Sequence, residues 1–210
     1  MYLGGLCFIT DRKICKLSCE EMALKVLNSG AKWIQYRDKE RSRREVYGEA
    51  LKLRRLTEDF KAVLVVNDHA DIALAVDAEG VHLGQEDLPL KEARKIMGTD
   101  KIIGISTHSL EEAVKAEEDG ADYIGFGPIF HTTTKDAGRP RGTDLLREIK
   151  RQIKIPVVAI GGINIENVRS VLEAGADAVA VASAILGKDI EKNVKLFLKI
   201  IGSPFFSSSV

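Results

Sequence analysis

Short apolar runs alternate along this chain with longer stretches in which apolar residues return every third or fourth position. The short runs suit strands buried on both faces, and the longer stretches suit amphipathic helices. Strands are predicted over Leu6–Thr10, Lys32–Tyr36, Ala62–Val66, Val81–Leu83, Ile102–Ile105, Tyr123–Gly127, Pro156–Ile160 and Ala178–Val181. Between them, Ser18 with Glu20 and Glu21 opens a helix that ends at Gly30. A long helix spans Arg41–Phe60, with Val46, Leu51, Leu53 and Leu56 among its apolar positions. His69–Val76 reads as a short helix closed by Gly80, and Pro89–Met97 as one stopped at Gly98. Ser109 and Glu112 form a capping box for a helix over Ser109–Glu118. Thr143–Gln152, Asn164–Ala174 (closed by Gly175) and Ile190–Ile201 complete the set.

Strand–helix alternation of this kind means a parallel sheet with crossover helices, and eight units close a (β/α)8 TIM barrel. The rival is an open doubly wound sheet. It usually opens on a dinucleotide loop, and no Gly-x-Gly-x-x-Gly follows the first predicted strand. Weak internal repetition fits the barrel. Asn28-Ser29-Gly30-Ala31-Lys32, Glu118-Asp119-Gly120-Ala121-Asp122 and Glu173-Ala174-Gly175-Ala176-Asp177 each lie between a helix and a strand. One domain is expected over 1–202. Residues 203–210, Ser-rich with Phe205 and Phe206, read as a frayed tail.

Composition narrows the class. Lys plus Arg equals Asp plus Glu at 31 each, which argues against nonspecific nucleic-acid binding. No run approaches the ~18–20 apolar residues of a membrane span. Cys7, Cys15 and Cys19 match no zinc spacing, and no secretory signal precedes them. They read as reduced cysteines of a cytoplasmic protein, with Cys7 a small core hydrophobe.

Candidate chemistry gathers where a barrel would put it, after the strands. The stretch Tyr123–Lys135 is a buried strand broken by Gly125, Gly127 and Pro128. It is followed by Thr132, Thr133, Thr134 and Lys135, hydroxyls and an ammonium suited to an anion. Gln35, Arg37 and Lys39 alternate onto one face, an amide and two cations. Asn67 and Asp68 follow a run of valines, and Asp87 follows the next strand. Asp68 and Asp87 suit one Mg²⁺, with substrate oxygens and water completing its shell. Asp87 also reads as a helix N-cap ahead of Leu88 and Pro89. His69 and His82 are too scattered for zinc and read as structural.

Gly161 and Gly162 let backbone approach a ligand, and Ala182-Ser183 opens a turn whose N-terminus favours an anion. The alternative there is close helix packing on small residues. Two anion sites emerge. One is a monophosphate pocket after the seventh and eighth strands. The other is a diphosphate site of Arg37, Lys39, Ser106, Lys135 and the metal. That combination points to a transfer joining two phosphorylated partners with diphosphate as leaving group.

The motifs Gln35-x-Arg37-x-Lys39, Asn67-Asp68, Gly84-Gln85-x-Asp87, Gly104-x-Ser106, Gly127-Pro128-Ile129-Phe130 with Thr132-x-Thr134-Lys135, Ile160-Gly161-Gly162-Ile163 and Ala182-Ser183-Ala184 resemble the thiamine-phosphate synthase family. The resemblance covers roughly Leu6–Gly187. It implies a barrel that joins 4-amino-2-methyl-5-hydroxymethylpyrimidine diphosphate to hydroxyethylthiazole phosphate. In that scheme Gln35 meets the aminopyrimidine. Arg37, Lys39, Asn67 and Lys135 hold the diphosphate, and Asp68 and Asp87 hold Mg²⁺. Ser106 touches the diphosphate or the reacting methylene. Thr132, Thr134, Gly162, Ala182 and Ser183 hold the thiazole phosphate. Arg37, Lys39, Ser106 and Lys135 form the implied catalytic set, in a monomer or small homo-oligomer.

His131 stands where that family usually has Pro, and Tyr36 where Leu is common. Arg139-Pro140-Arg141-Gly142 looks somewhat like the related thiazole tautomerase branch, which uses a His near this loop. A tautomerase is therefore one rival. A Schiff-base aldolase on Lys135 or Lys39 is another, and it leaves the paired aspartates unexplained. A regulatory barrel that only binds phosphate is the non-enzyme alternative.

Overall fold

The computed structural model describes residues 4–132 and 138–203. Among them eight strands and eight helices alternate: β1 (Gly5–Ile9), α1 (Cys19–Asn28), β2 (Trp33–Tyr36), α2 (Arg43–Asp59), β3 (Val63–Asn67), α3 (Ala70–Ala75), β4 (Gly80–Leu83), α4 (Leu90–Met97), β5 (Ile102–Thr107), α5 (Leu110–Glu118), β6 (Tyr123–Phe126), α6 (Gly142–Gln152), β7 (Val157–Ile160), α7 (Val168–Glu173), β8 (Ala178–Val181) and α8 (Ile190–Ile201). The strands close into a barrel in chain order, β8 pairing in parallel with β1 through Cys7 opposite Ala180. The predicted (β/α)8 fold is the observed one. No helix among the described residues is long and apolar enough to cross a membrane.

Strand alternation divides the apolar residues into two layers. Cys7, Ile9, Trp33, Val65, Tyr123, Val158, Ala178 and Ala180 fill the barrel. The small alanines of β8 leave room for the large rings of Trp33 and Tyr123, which meet edge to face at 5.4 Å. The other register faces the helices. Phe8, Ile34, Leu64, Ile103, Ile124 and Val179 pack there against residues such as Met22, Leu53 and Phe197. Each such fully buried side chain contributes about 1.5–3 kcal/mol relative to exposure. Cys7, Cys15 and Cys19 are free thiols, and Cys7 is wholly buried as expected of a core residue.

Helix starts follow the caps, with some departures from expectation. Ser18 and Glu21 form a reciprocal box on α1, and Ser42 with Glu45 forms one on α2 that the sequence reading passed over. On α5 only half of the expected box forms. Ser109 Oγ accepts from Glu112 N–H at 3.2 Å, while the Glu112 carboxylate accepts from His108 N–H at 2.6 Å. α7 begins at Val168 instead of Asn164. Asn164 and Asn167 trade side-chain and backbone hydrogen bonds there and hold a turn ahead of the helix.

Gly80 does not close α3. It is the first residue of β4, and its Cα faces the Ile102 carbonyl so closely that a Cβ would lie 2.4 Å from that oxygen. The residue that turns the chain is Asp77, at φ +57°. It takes the place that Gly30, Gly120 and Gly175 take elsewhere, so Asp77-Ala78-Glu79 is a further, disguised copy of the glycine–alanine–polar repeat.

The last residue of that repeat has a structural use at the N-terminal rim. Glu79 Oε2 accepts the Leu64 N–H of β3 at 2.7 Å and pairs with Arg54 of α2. Asp122 accepts the Ile103 N–H of β5 at 2.7 Å and pairs with Arg94 of α4. Asp177 accepts the Val157 N–H of β7 at 2.7 Å and pairs with Lys150 of α6. In each case an acid entering an even strand satisfies the first or second N–H of the odd strand before it.

Candidate active site

At the opposite rim a cavity of about 130 Å³ opens among the ends of β1, β2, β5, β6, β7 and β8. Arg37, Ser106, Thr132, Gly162, Ala182 and Ser183 all line it. Residues expected at two anion sites thus share one wall. Gly161, with φ +95°, and Gly162, with φ +65°, sit where the chain after β6 crosses them. A Cβ on Gly161 would lie 2.5 Å from Pro128 Cβ, and one on Gly162 2.4 Å from the His131 carbonyl. The tight fit is against this loop and not against a helix. Ile129 N–H and Phe130 N–H donate to the carbonyls of Ile160 and Gly161 at 2.9 and 3.0 Å, so the loop continues the β6–β7 pairing. Ala182 begins a single turn, its carbonyl accepting from Ile185 and Leu186 N–H at 3.0 Å each.

Arg37 is held by a residue the sequence reading missed. Thr10, fully buried after β1, accepts Arg37 N–H at 3.0 Å and donates to the Arg37 carbonyl at 3.2 Å. Asp11 and His108 also line the cavity without having been anticipated. His108 Nδ1 lies 2.6 Å from the Gly127 carbonyl, an acceptor, so this nitrogen donates. Thr10 and Asp11 carried the same signal as Asn67 and Asp68, polar residues directly after an apolar strand, but the end of the first strand was not read.

A second cluster lies beside this cavity. Asp68, at φ +67°, contacts the Lys39 ammonium and accepts from Asn67 Nδ2 at 2.5 Å. Asp87 folds back so that its carboxylate accepts Gly84 N–H at 2.7 Å. It is not the N-cap of α4, a position that Pro89 holds. Burial raises the Asp87 carboxyl above the usual range. The Gly84 N–H opposes that shift, and neighbouring Asp68 adds to it. Gln85 Nε2 donates to the Ser106 carbonyl at 2.6 Å and ties this cluster to β5.

Gln35 is buried inside the barrel, where its side chain interacts with the Tyr123 hydroxyl. His82, expected to be structural, is buried with ring contacts to Tyr123 and Ser106. Thr134 and Lys135, and Phe205 and Phe206 of the tail, lie outside the described residues.

A pair of adjoining carboxylates beside a hydroxyl- and glycine-lined cavity suits phosphorylated substrates. Comparisons with known proteins agree. The family profile for thiamine monophosphate synthase matches residues 6–185. The thiamine-phosphate synthase of Methanosarcina barkeri is 50% identical over 177 residues, covering 83% of this chain and 80% of that protein. That of Clostridium acetobutylicum is 45% identical over 202 residues, covering 93% and 94%. The solved thiamine phosphate pyrophosphorylase of Pyrococcus furiosus superposes with a TM-score of 0.87 at 45% identity, covering 94% of this chain and 95% of that one. The profile match runs through every strand end that builds the cavity, and the chain belongs to the thiamine monophosphate synthase family.

Proposed function

We propose that this chain is a transferase of thiamine biosynthesis. It joins 4-amino-2-methyl-5-hydroxymethylpyrimidine diphosphate to hydroxyethylthiazole phosphate and releases thiamine phosphate and diphosphate. The observation that carries this reading is the shared wall. Arg37 and Ser106, assigned to the diphosphate, line the same cavity as Thr132, Gly162, Ala182 and Ser183, assigned to the thiazole phosphate. A reaction between two phosphorylated molecules needs that adjacency.

Asp68 and Asp87 fit a hard divalent cation. They adjoin each other, Asp87 is destabilised as an anion, and Lys39 pairs with Asp68. Among the described residues no group of three or more His, Cys, Asp and Glu could hold a metal. Two carboxylates leave the rest of the shell to water and diphosphate oxygens, the habit of Mg²⁺. When bound, Mg²⁺ would neutralise charge on the diphosphate.

The residues do the rest. Arg37, Lys39 and Asn67 hold the diphosphate and, with Ser106, stabilise the charge it gains as the bond from its oxygen to the pyrimidine methylene breaks. The electron pair leaves with the oxygen. Gln35 orients the aminopyrimidine, whose amino group spreads the positive charge left on the methylene. The thiazole phosphate, held by Thr132, Gly162 and the Ala182–Ser183 turn, presents its ring nitrogen, and the nitrogen lone pair forms the new C–N bond. No protein nucleophile or general base is required. Lys135 and Thr134 join the diphosphate and thiazole phosphate contacts, respectively.

The test is thiamine phosphate formation from the two substrates with Mg²⁺ and with chelator. Product that depends on Mg²⁺ supports the reading. Folded protein that yields none sinks it and makes the tautomerase assay, with His131 changed first, the next experiment. A borohydride-trapped adduct on Lys135 would favour the aldolase instead.

A further inference from the structure

Two ring side chains inside the barrel join the residues proposed to meet opposite ends of the pyrimidine substrate. Tyr123 enters from β6 and His82 from β4, and both are buried. Their rings stack with centroids 5.4 Å apart. The Tyr123 hydroxyl lies 2.9 Å from His82 Nδ1, and His82 Nε2 lies 2.9 Å from Ser106 Oγ. The buried Gln35 side chain interacts with the same Tyr123 hydroxyl. Hydrogen-bond contacts thus join Tyr123, His82 and Ser106, with Gln35 interacting at the Tyr123 end.

The backbone is shaped around these two rings. A Cβ on Gly104 would lie 2.0 Å from Tyr123 Cζ, and one on Gly125 would lie 2.9 Å from His82 Cε1. Both glycines leave room that a side chain would take from the rings.

The direction of the chain follows from hydrogen counting. A neutral imidazole has one donor and one acceptor, and a serine hydroxyl has one hydrogen to give. Ser106 lines the cavity, and diphosphate oxygens only accept. Ser106 can give its hydrogen to the anion only while its oxygen accepts from His82 Nε2–H. Nδ1 then accepts from the Tyr123 O–H, and the Tyr123 oxygen accepts from the Gln35 amide N–H. This leaves the Gln35 carbonyl to accept from an exocyclic amine. Both ends then suit an aminopyrimidine diphosphate, whereas the reverse direction takes the Ser106 hydrogen away from the anion.

We infer that His82 is a positioning residue, held as the Nε2–H tautomer, which aims the Ser106 hydroxyl at the departing diphosphate. Through Tyr123 the same hydrogen-bond chain turns the Gln35 carbonyl toward the pyrimidine amine. The inference rests on the proposed reaction.

Two amide substitutions separate its ends. In His82→Gln the amide nitrogen falls near the place of Nε2, and in His82→Asn near that of Nδ1. Steady-state kinetics of the full chain should show His82→Asn losing about 10- to 100-fold in kcat, the usual cost of an orienting partner. Its KM for thiazole phosphate should stay within about twofold, because ground-state binding is untouched. His82→Gln should recover kcat to within about fivefold of the wild type, since the donor to Ser106 is restored. Equal losses in both variants, or a loss carried by KM alone, would mean that His82 merely fills space.

Nitrogen-15 NMR of His82 in the wild-type chain needs no variant and stands even if both substitutions misfold. A protonated Nε2 is expected, and a protonated Nδ1 overturns the inference. A wild-type chain that makes no thiamine phosphate overturns the reaction, and the role with it, whatever the tautomer.

Discussion

The two rims of the barrel use carboxylates in opposite ways. At the N-terminal rim Glu79, Asp122 and Asp177 each have a base from a helix and a backbone N–H from a strand. At the C-terminal rim Asp68 has Lys39 and the Asn67 amide, and Asp87 has the Gly84 N–H, but the two acids also face each other, and Asp68 adds to the effect of burial on Asp87. A carboxylate with a base and a strand N–H, and no second carboxylate beside it, holds the frame. A carboxylate set against another stores a demand for positive charge that a ligand can meet. The same residue types, on the same fold, are thus divided between holding and binding.

The largest test of this contrast removes the acids at the C-terminal rim. Asp68→Ala and Asp87→Ala should each reduce Mg²⁺-dependent turnover by about a thousandfold, at the upper end for loss of a transition-state electrostatic contact. Circular dichroism should stay that of the wild type. Turnover surviving both changes would refute the assignment.

Next in size is the Arg37 clamp. Thr10→Val keeps the shape of the buried side chain but removes both hydrogen bonds to the Arg37 backbone. kcat/KM should fall by about 10- to 100-fold through misplacement of the guanidinium. An unchanged kcat/KM would show that the loop holds its shape without the clamp.

The N-terminal rim should respond in the opposite currency. Asp122→Ala orphans the Ile103 N–H and takes from Arg94 its acid partner, leaving it only carbonyls, and should lower stability by about 1 kcal/mol in denaturant melts. The value is modest because the carboxylate is 41% exposed. kcat should be unaltered, and a loss of kcat would break the division between the rims.

The smallest effect is expected on the outer wall. Lys115 and Lys91 hold the exposed Asp119 carboxyl down to about 2. A lowered folded-state value stabilises above the unfolded carboxylate range, and that benefit disappears as pH falls from about 4 toward 2. Asp119→Asn should therefore flatten the acid limb of a Tm–pH curve slightly and leave activity at neutral pH alone. An unchanged limb would mean that solvent screens the pair completely.

Local signals made the frame legible. Valine runs such as Val63–Val66 and glycine stops such as Gly98 placed every strand within a residue or two. Where helix ends were misjudged, a side chain had replaced the usual signal. Asp77 turns the chain in place of glycine, and Asn164 and Asn167 hold a turn that periodicity reads as helix.

The strand-end rule brought Arg37, Ser106, Thr132, Gly162, Ala182 and Ser183 to one cavity. It did not reveal what supports them. His82 meets Tyr123 across 41 positions of chain, and Thr10 meets Arg37 across 27. Contacts of that kind exist only after the barrel closes, so no window of sequence displays them.

The acids of the N-terminal rim divide the barrel into blocks. Each acid and its base belong to one stretch of chain: Arg54 with Glu79, Arg94 with Asp122, Lys150 with Asp177. For recombination between relatives, a joint in the segments after β2, β4 or β6 passes each of these three couples on with its own partner. A joint inside α3, α5 or α7 pairs one parent's acid with the other parent's base. Chimaeras of the first kind should inherit their fold intact while exchanging strand ends, and with them the surroundings of the substrate.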